Sequence, residues 1–167
     1  MKEHMHEQHD QHTKQHNSHQ MTYKKFILMI VLSFFAMYVL MYAMVDRFEN
    51  AVPNINQIYM AGLMTAGMVV IEMLLMGKMY RSRKINLTIV LVGIVALSAF
   101  WFGIRKQTAV SDRQFLKSMI PHHAAAVLMV KEADLNDPEI QKLANEIIKA
   151  QEKEIAFMKR KLKELDK

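Results

Sequence analysis

The fold is decided by a stretch of 20 residues without a charge, FILMIVLSFFAMYVLMYAMV at positions 26–45. Two more stretches of 20 residues are similar: positions 58–77, where Glu72 is the only charged residue, and positions 85–104, which have none. A bilayer core is roughly 30 Å thick, and about 20 helical residues cross it. The sequence therefore predicts an all-α protein with three transmembrane helices and the lipid bilayer as a partner.

The rest of the chain is short. We divide the whole chain into a His-rich tail (1–25), a membrane domain (26–104) and a helical hairpin (105–167). Lys and Arg near spanning helices tend to stay in the cytoplasm. The loop at 78–84 has four cations and no acid, whereas the loop at 46–57 has one cation and two acids. We therefore expect a multi-pass protein with a cytoplasmic N-terminus and an extracytoplasmic C-terminal domain.

Start signals for two helices lie in the C-terminal segment. Ser111 and Gln114 have the spacing of a capping box, which predicts a helix from about residue 112 to 133. Asp137 followed by Pro138 predicts a cap and a first helical position, and a second helix to about residue 165. Joined by a short turn, the two helices form an antiparallel hairpin.

Each helix has an apolar stripe with a spacing of three and four residues. The stripe of the first helix comprises Phe115, Met119, His122, Ala126, Met129 and Ala133. That of the second comprises Ile140, Leu143, Ala144, Ile147, Met158 and Leu162, with Gln151 and Glu154 among them. In an antiparallel pair, His122 faces the region of Gln151 and Met119 the region of Glu154, to within a helical turn. These polar groups either form a ligand site or only satisfy one another, because a buried polar group without a partner is costly.

The run FLKSMIPHHAAAVLM at 115–129, followed by QEKEI at 151–155 and by Met158, resembles the family of the domain of unknown function 305. The resemblance covers residues 112–162. This bacterial family is ferritin-like in fold and includes CopM-type copper-binding proteins, so the resemblance implies copper or silver binding at a bacterial cell membrane. It implies metal ligands at Met119, His122, His123, Met129 and Met158, with Gln151 and Glu154 beside them.

Longer members of that family have two such hairpins, whereas this chain has one. A lone hairpin would also expose a second apolar face to water. The residues of that face are Leu116, Ile120, Val127, Ile148 and Ile155. We therefore expect a homodimer whose hairpins form a four-helix bundle.

The ligand types favour a soft metal ion. Thioether sulfur prefers Cu(I) or Ag(I), and imidazole also accepts other transition metals. The chain has no cysteine, which excludes disulfides and thiolate sites. A diiron oxidase needs Glu-x-x-His pairs, and the hairpin sequence has none. We therefore predict a binding protein for Cu(I) or silver, without enzymatic turnover.

Six of the eight histidines lie in the first 20 residues, at His4, His6, His9, His12, His16 and His19. On a helix, the last four of them would share one face and suit a divalent metal ion. A soluble tail without a ligand is the alternative. We favour metal capture, because His-rich tracts have few other uses.

The first two spans contain nine methionines. Their outer ends would bring Met41 and Met44 near Met60 and Met64, although methionine is also an ordinary apolar filler. Glu72 is an intramembrane candidate, because an ionisable group within a span is costly. Its alternative role is a protonated carboxyl that bonds to a neighbouring span.

Together these features favour a membrane-anchored copper or silver protein that contributes to metal homeostasis or resistance. The alternative is a structural or regulatory membrane subunit whose hairpin is a dimerisation or docking module. The net charge of +6 comes without a basic patch interleaved with aromatic residues, so nucleic acid is not expected as a partner.

Overall fold

The computed structural model describes residues 23–80 and 82–166, and all regular elements within these ranges are helices. The helices are α1 (Tyr23–Met44), α2 (Ile55–Met76), α3 (Arg83–Lys106), α4 (Asp112–Glu132) and α5 (Pro138–Leu165). Three short 3-10 turns accompany them: Met41–Met44 ends α1, Phe48–Asn50 lies in the first loop, and Gly77–Met79 extends α2. The all-α prediction is confirmed. The predicted metal-capturing tail, residues 4–19, lies outside the described residues.

Three helices, α1, α3 and α2 with its extension to Met79, are long and apolar enough to span a membrane. The protein buries only 6% of the most apolar window of α1 and 11% of that of α3. Apolar surface of this extent is unfavourable in water and matches the core of a bilayer. The three helices therefore indicate a membrane protein.

The chain divides into two compact units, and the first comprises residues 23–37 and 62–100 of the described chain. Its buried apolar cluster consists of Phe26, Val69 and Met73. Close packing of α2 and α3 depends on Gly93, because a Cβ atom there would lie 2.8 Å from a methyl group of Val70. Within this unit, Glu72 of α2 is half-buried.

The second unit comprises residues 38–61 and 101–166 and contains the helical hairpin. Asp137 caps α5 as predicted: its carboxylate accepts hydrogen bonds from the amides of Glu139 and Ile140, at 2.8 and 3.0 Å. Ser111 precedes α4, but its side chain makes no capping bond. The predicted capping box is therefore wrong. Gln114 instead accepts a hydrogen bond from the Ile55 amide at 3.2 Å, at the start of α2.

The hairpin core is formed by a different stripe of α4 from the predicted one. Its buried residues are Leu116, Ile120, Ala124 and Val127 from α4 and Ile155 and Met158 from α5, and Val45 and Val52 of the first loop pack against them. Phe115 and Met129 of the predicted stripe are 52% and 54% exposed, and His122 is exposed. The prediction was wrong because α4 has two adjoining apolar stripes of the same period, and the bulkier aliphatic one packs against α5.

The register of the hairpin also differs from the prediction. Lys131, in the last turn of α4, donates a hydrogen bond to Glu152, well inside α5, at 2.8 Å. The connection is extended rather than tight, with Ala133 and Asp137 both in extended backbone conformations. The first turns of α5 therefore pass beyond the end of α4. The expected facing pairs, His122 with Gln151 and Met119 with Glu154, are wrong.

This packing changes the basis of the dimer prediction. Of the predicted second face, Leu116, Ile120, Val127 and Ile155 are buried inside the hairpin. The described hairpin residues that leave large apolar side chains about half-exposed are Phe115, Met129, Ile140, Leu143, Phe157 and Leu165. A four-helix bundle of two chains stays a prediction, and it would have to use these residues.

Candidate metal site

Both ring nitrogens of His123 have hydrogen-bond partners, on the side of α4 that faces α5. Its Nε2 lies 2.7 Å from Oε2 of Glu154, and its Nδ1 lies 2.8 Å from the backbone carbonyl oxygen of Met119. Both partners are acceptors, so both ring nitrogens donate only when the imidazole carries two protons. A metal binds the neutral imidazole. His123 would therefore have to release one of these bonds before it could act as the predicted ligand.

His122, the next residue, points away from that pair and is exposed. Its ring packs edge-on against His123, with 6.2 Å between the ring centroids. Among the residues that the structure describes, no hydrogen bond or ion pair reaches the nitrogens of His122. The ring lines a cavity of about 300 Å³ within the second unit. His122 is therefore the available imidazole of the Met-x-x-His-His motif.

Three methionines line the same cavity: Met41 and Met44 from the end of α1, and Met60 from α2. Met41 and Met44 lie in a 3-10 turn, where residues three apart fall on the same side. Met44 and Met60 are 51% and 42% exposed. The structure thus brings together three of the four methionines predicted to meet at the outer ends of these spans. The fourth, Met64, does not line this cavity.

The rest of the cavity lining is partly polar. Its polar side chains are Asn54, Asn56, Gln57, Gln107 and Ser118. They bond to one another across the cavity: Ser118 donates to Asn54 at 3.2 Å, and Asn56 donates to Ser118 at 3.2 Å and to Gln107 at 3.1 Å. These bonds fix the start of α2 against α4 and hold Met60 and His122 on the walls of one cavity.

The other predicted ligands lie elsewhere in the second unit. Met158 is 6% exposed within the hairpin core, and Met119 packs against that core from its edge. Met129 is exposed, and Gln151 is half-buried. In the described part of the chain, no group of three or more His, Asp or Glu side chains is arranged to hold a metal ion. A site built from these residues would therefore depend on thioether sulfur.

Glu72, the intramembrane candidate, lies near Tyr80 in the first unit. The pKa of the Tyr80 phenol is raised, first by burial and then by the negative charge of Glu72. Because Tyr80 directly follows the extension of α2 itself, this contact does not join Glu72 to a neighbouring span, and both roles of Glu72 stay predictions.

One feature of the sequence indicates the side of α4 that lines the cavity. Gln114, Ser118 and His122 recur every four residues, which puts polar groups along one side of a helix. That side of α4 contacts the start of α2 through Gln114 and Ser118. The asparagine and glutamine residues of the first loop carry no such period, so sequence reasoning missed them.

The chain was compared with known proteins. Residues 103–162 match the family described as a domain of unknown function (DUF305). The chain is also 33% identical over 138 residues to the uncharacterized protein L153 of Acanthamoeba polyphaga mimivirus, an alignment that covers 79% of this chain and 87% of that protein. No solved structure matches the chain. The extent of the relationship to the mimivirus protein shows a common family, and the match at residues 103–162 identifies it: the chain belongs to the DUF305 family.

Proposed function

We propose that this protein is a membrane-anchored binding protein for Cu(I) or Ag(I) that contributes to metal homeostasis or resistance. The observation that carries the proposal is the imidazole of His122, which is exposed, has no partner among the described residues, and faces a cavity. It belongs to the Met-x-x-His-His motif that resembles copper-binding members of the family. Imidazole next to thioether donors favours a soft ion. In this function the protein binds the metal ion and does not catalyse a reaction.

Metal titration of the full-length protein in mild detergent tests this function. Under anaerobic conditions, a chromophoric Cu(I) chelator competes with the protein for the metal. We expect His122→Ala to lower the Cu(I) affinity by at least about tenfold, since even changes beside a ligand commonly cost that much. Asn145→Ala, at an exposed polar side chain of α5 that does not line the cavity, is the control. A wild-type protein that removes no Cu(I) or Ag(I) from the chelator would refute the function.

We propose further that the N-terminus is cytoplasmic and the hairpin extracytoplasmic, on the basis of the four cations at 78–84. A cysteine in place of Phe48, which is 95% exposed in the first loop, should react with a membrane-impermeant thiol reagent in intact cells. A cysteine in place of Ser82 should react only after the cells are opened. The opposite pattern would invert the orientation.

A separate observation supports a second candidate function. The exposed apolar side chains of the hairpin, among them Phe115 and Phe157, suit a structural or regulatory subunit that dimerises or docks through them. Light scattering in detergent distinguishes monomer from dimer. If Phe115→Ser converts a dimer into a monomer and the protein binds no metal, the docking function replaces the metal function.

A further inference from the structure

We propose that the Cu(I) or Ag(I) ion is held by a composite site between His122 of α4 and the thioethers of Met41, Met44 and Met60 at the ends of α1 and α2. This inference rests on the proposed function and names the ligands that complete it. The four side chains line one cavity in the second unit, although the methionines are about 60 to 80 residues before His122 in the chain.

The ligand atoms that line the cavity determine which metal ion it can bind. Among the described residues that line the cavity there is no Asp or Glu, so hard cations such as Mg²⁺ and Ca²⁺ lack their preferred carboxylate ligands. The single imidazole gives Zn²⁺ too few of its usual ligands. Three soft thioethers and one borderline imidazole are neutral donors, and a monovalent soft ion can bind to them at a smaller desolvation cost than a divalent one.

The surroundings of the methionines also argue against a role as apolar filler. A methionine that only faces lipid needs no polar neighbour. Here Met60 shares its helical face with Asn56 and Gln57, one turn earlier, and both amides line the same cavity as its thioether. Ser118 stands one turn before His122 on the opposite wall. The cavity therefore offers polar side chains as well as thioethers to an entering ion.

The geometry also explains how one metal ion would act on the fold. Met41 and Met44 end α1, Met60 lies in α2, and His122 lies in α4. Within the second unit, an ion with these ligands would join the end of α1 to α2 and α4, and the start of α2 already meets α4 there through the hydrogen bonds of Asn54 and Asn56 with Ser118. Metal binding should therefore protect the start of α2 and the middle of α4 together.

Two matched triple variants of the full-length protein in detergent test the site. The cavity variant carries Met41→Leu, Met44→Leu and Met60→Leu, which keep side-chain volume and remove sulfur. The control carries Met64→Leu, Met68→Leu and Met76→Leu, which change the same residue type in α2 outside the cavity. We expect the cavity variant to lose about 100-fold or more in Cu(I) affinity and the control to stay within about twofold of wild type.

X-ray absorption at the copper edge gives a second readout, and the wild-type spectrum does not depend on any variant folding. We expect sulfur and nitrogen neighbours in the wild type, and nitrogen neighbours without sulfur in the cavity variant. If His122→Ala loses Cu(I) affinity while the cavity variant keeps both affinity and sulfur neighbours, the composite site is wrong and the proposed function stands. Nitrogen-only coordination in the wild type also overturns the composite site. If the wild type does not bind Cu(I) or Ag(I), both proposals fail.

Discussion

The two sides of α4 differ in what their side chains do. On the side that faces α5, Ile120, Ala124 and Val127 are fully buried, and His123 is bound to Glu154. On the side that faces the cavity, Ser118 is bound to neighbours from the first loop, while the ring of His122 is exposed and faces an open space. Two histidines adjacent in the chain therefore have opposite surroundings, because consecutive helical residues are rotated by about 100°.

This difference suggests that one side of α4 stabilises the fold and the other side binds a ligand. Burying an aliphatic side chain stabilises the fold by about 1.5–3 kcal/mol, so the α5 side should determine the stability of the hairpin. An exposed imidazole contributes little to stability, so the cavity side is free to bind a ligand. Changes on one side should then alter stability with little effect on metal affinity, and changes on the other side should do the reverse.

The largest expected effect is on the α5 side. Ile120→Ala removes a side chain that is 0% exposed and should lower the local stability of the hairpin by about 2–5 kcal/mol. Phe115→Ala, on the same helix but 52% exposed, should cost less than about 1 kcal/mol. Hydrogen exchange of α4 peptides in detergent measures both. A larger loss of stability from Phe115→Ala than from Ile120→Ala would show that the hairpin core lies on the stripe that the sequence predicted.

The adjacent histidines should separate stability from metal binding. His123→Ala removes the side-chain hydrogen bonds to the Glu154 carboxylate and to the Met119 carbonyl, and should cost about 1 kcal/mol. His122→Ala should change stability by less than about 0.5 kcal/mol without metal. An ion at 100 times its Kd stabilises the folded state by about 2.7 kcal/mol, and only His122→Ala should lose that gain.

Thermal unfolding with and without Ag(I) measures this contrast. We expect the Tm of His123→Ala to start below that of wild type and to rise on addition of Ag(I). The Tm of His122→Ala should start at the wild-type value and not rise. If His123→Ala is the variant that loses the response, the two sides of α4 have been assigned in reverse.

The sequence predicts the helices and the family well, because those signals are local. A run of 20 apolar residues identifies a spanning helix by itself, and Asp137 with Pro138 marks the start of α5 from adjacent positions. The Met-x-x-His-His motif is likewise contiguous and led to the family. None of these predictions requires knowledge of which helices touch.

The packing was predicted less well, because it depends on partners that are distant in the chain. Periodicity allowed either stripe of α4 to face α5, and the core that Ile120 and its stripe share with Ile155 and Met158 of α5 shows which one does. The register depended on the loop at 133–137, whose ends are extended although its Asp and Asn residues favour a turn. The cavity brings His122 next to methionines from two other helices, so the spacing of residues around His122 could not reveal it.

The smallest expected effect tests whether the α5 side is free of metal chemistry. Glu154→Gln keeps the size of the side chain and an acceptor for His123 but removes the charge. Because the side chain of Glu154 is 56% exposed, the change should lower stability by less than about 1 kcal/mol, and 1 M salt should reduce the difference further. Glu152→Gln, which alters the exposed pair with Lys131, is the matched control and should have an effect of similar size. Neither variant should alter Cu(I) affinity by more than about twofold, as measured by chelator competition. A tenfold loss in Glu154→Gln alone would mean that Glu154 acts on the metal through His123, and that the two sides of α4 serve one site rather than two separate tasks.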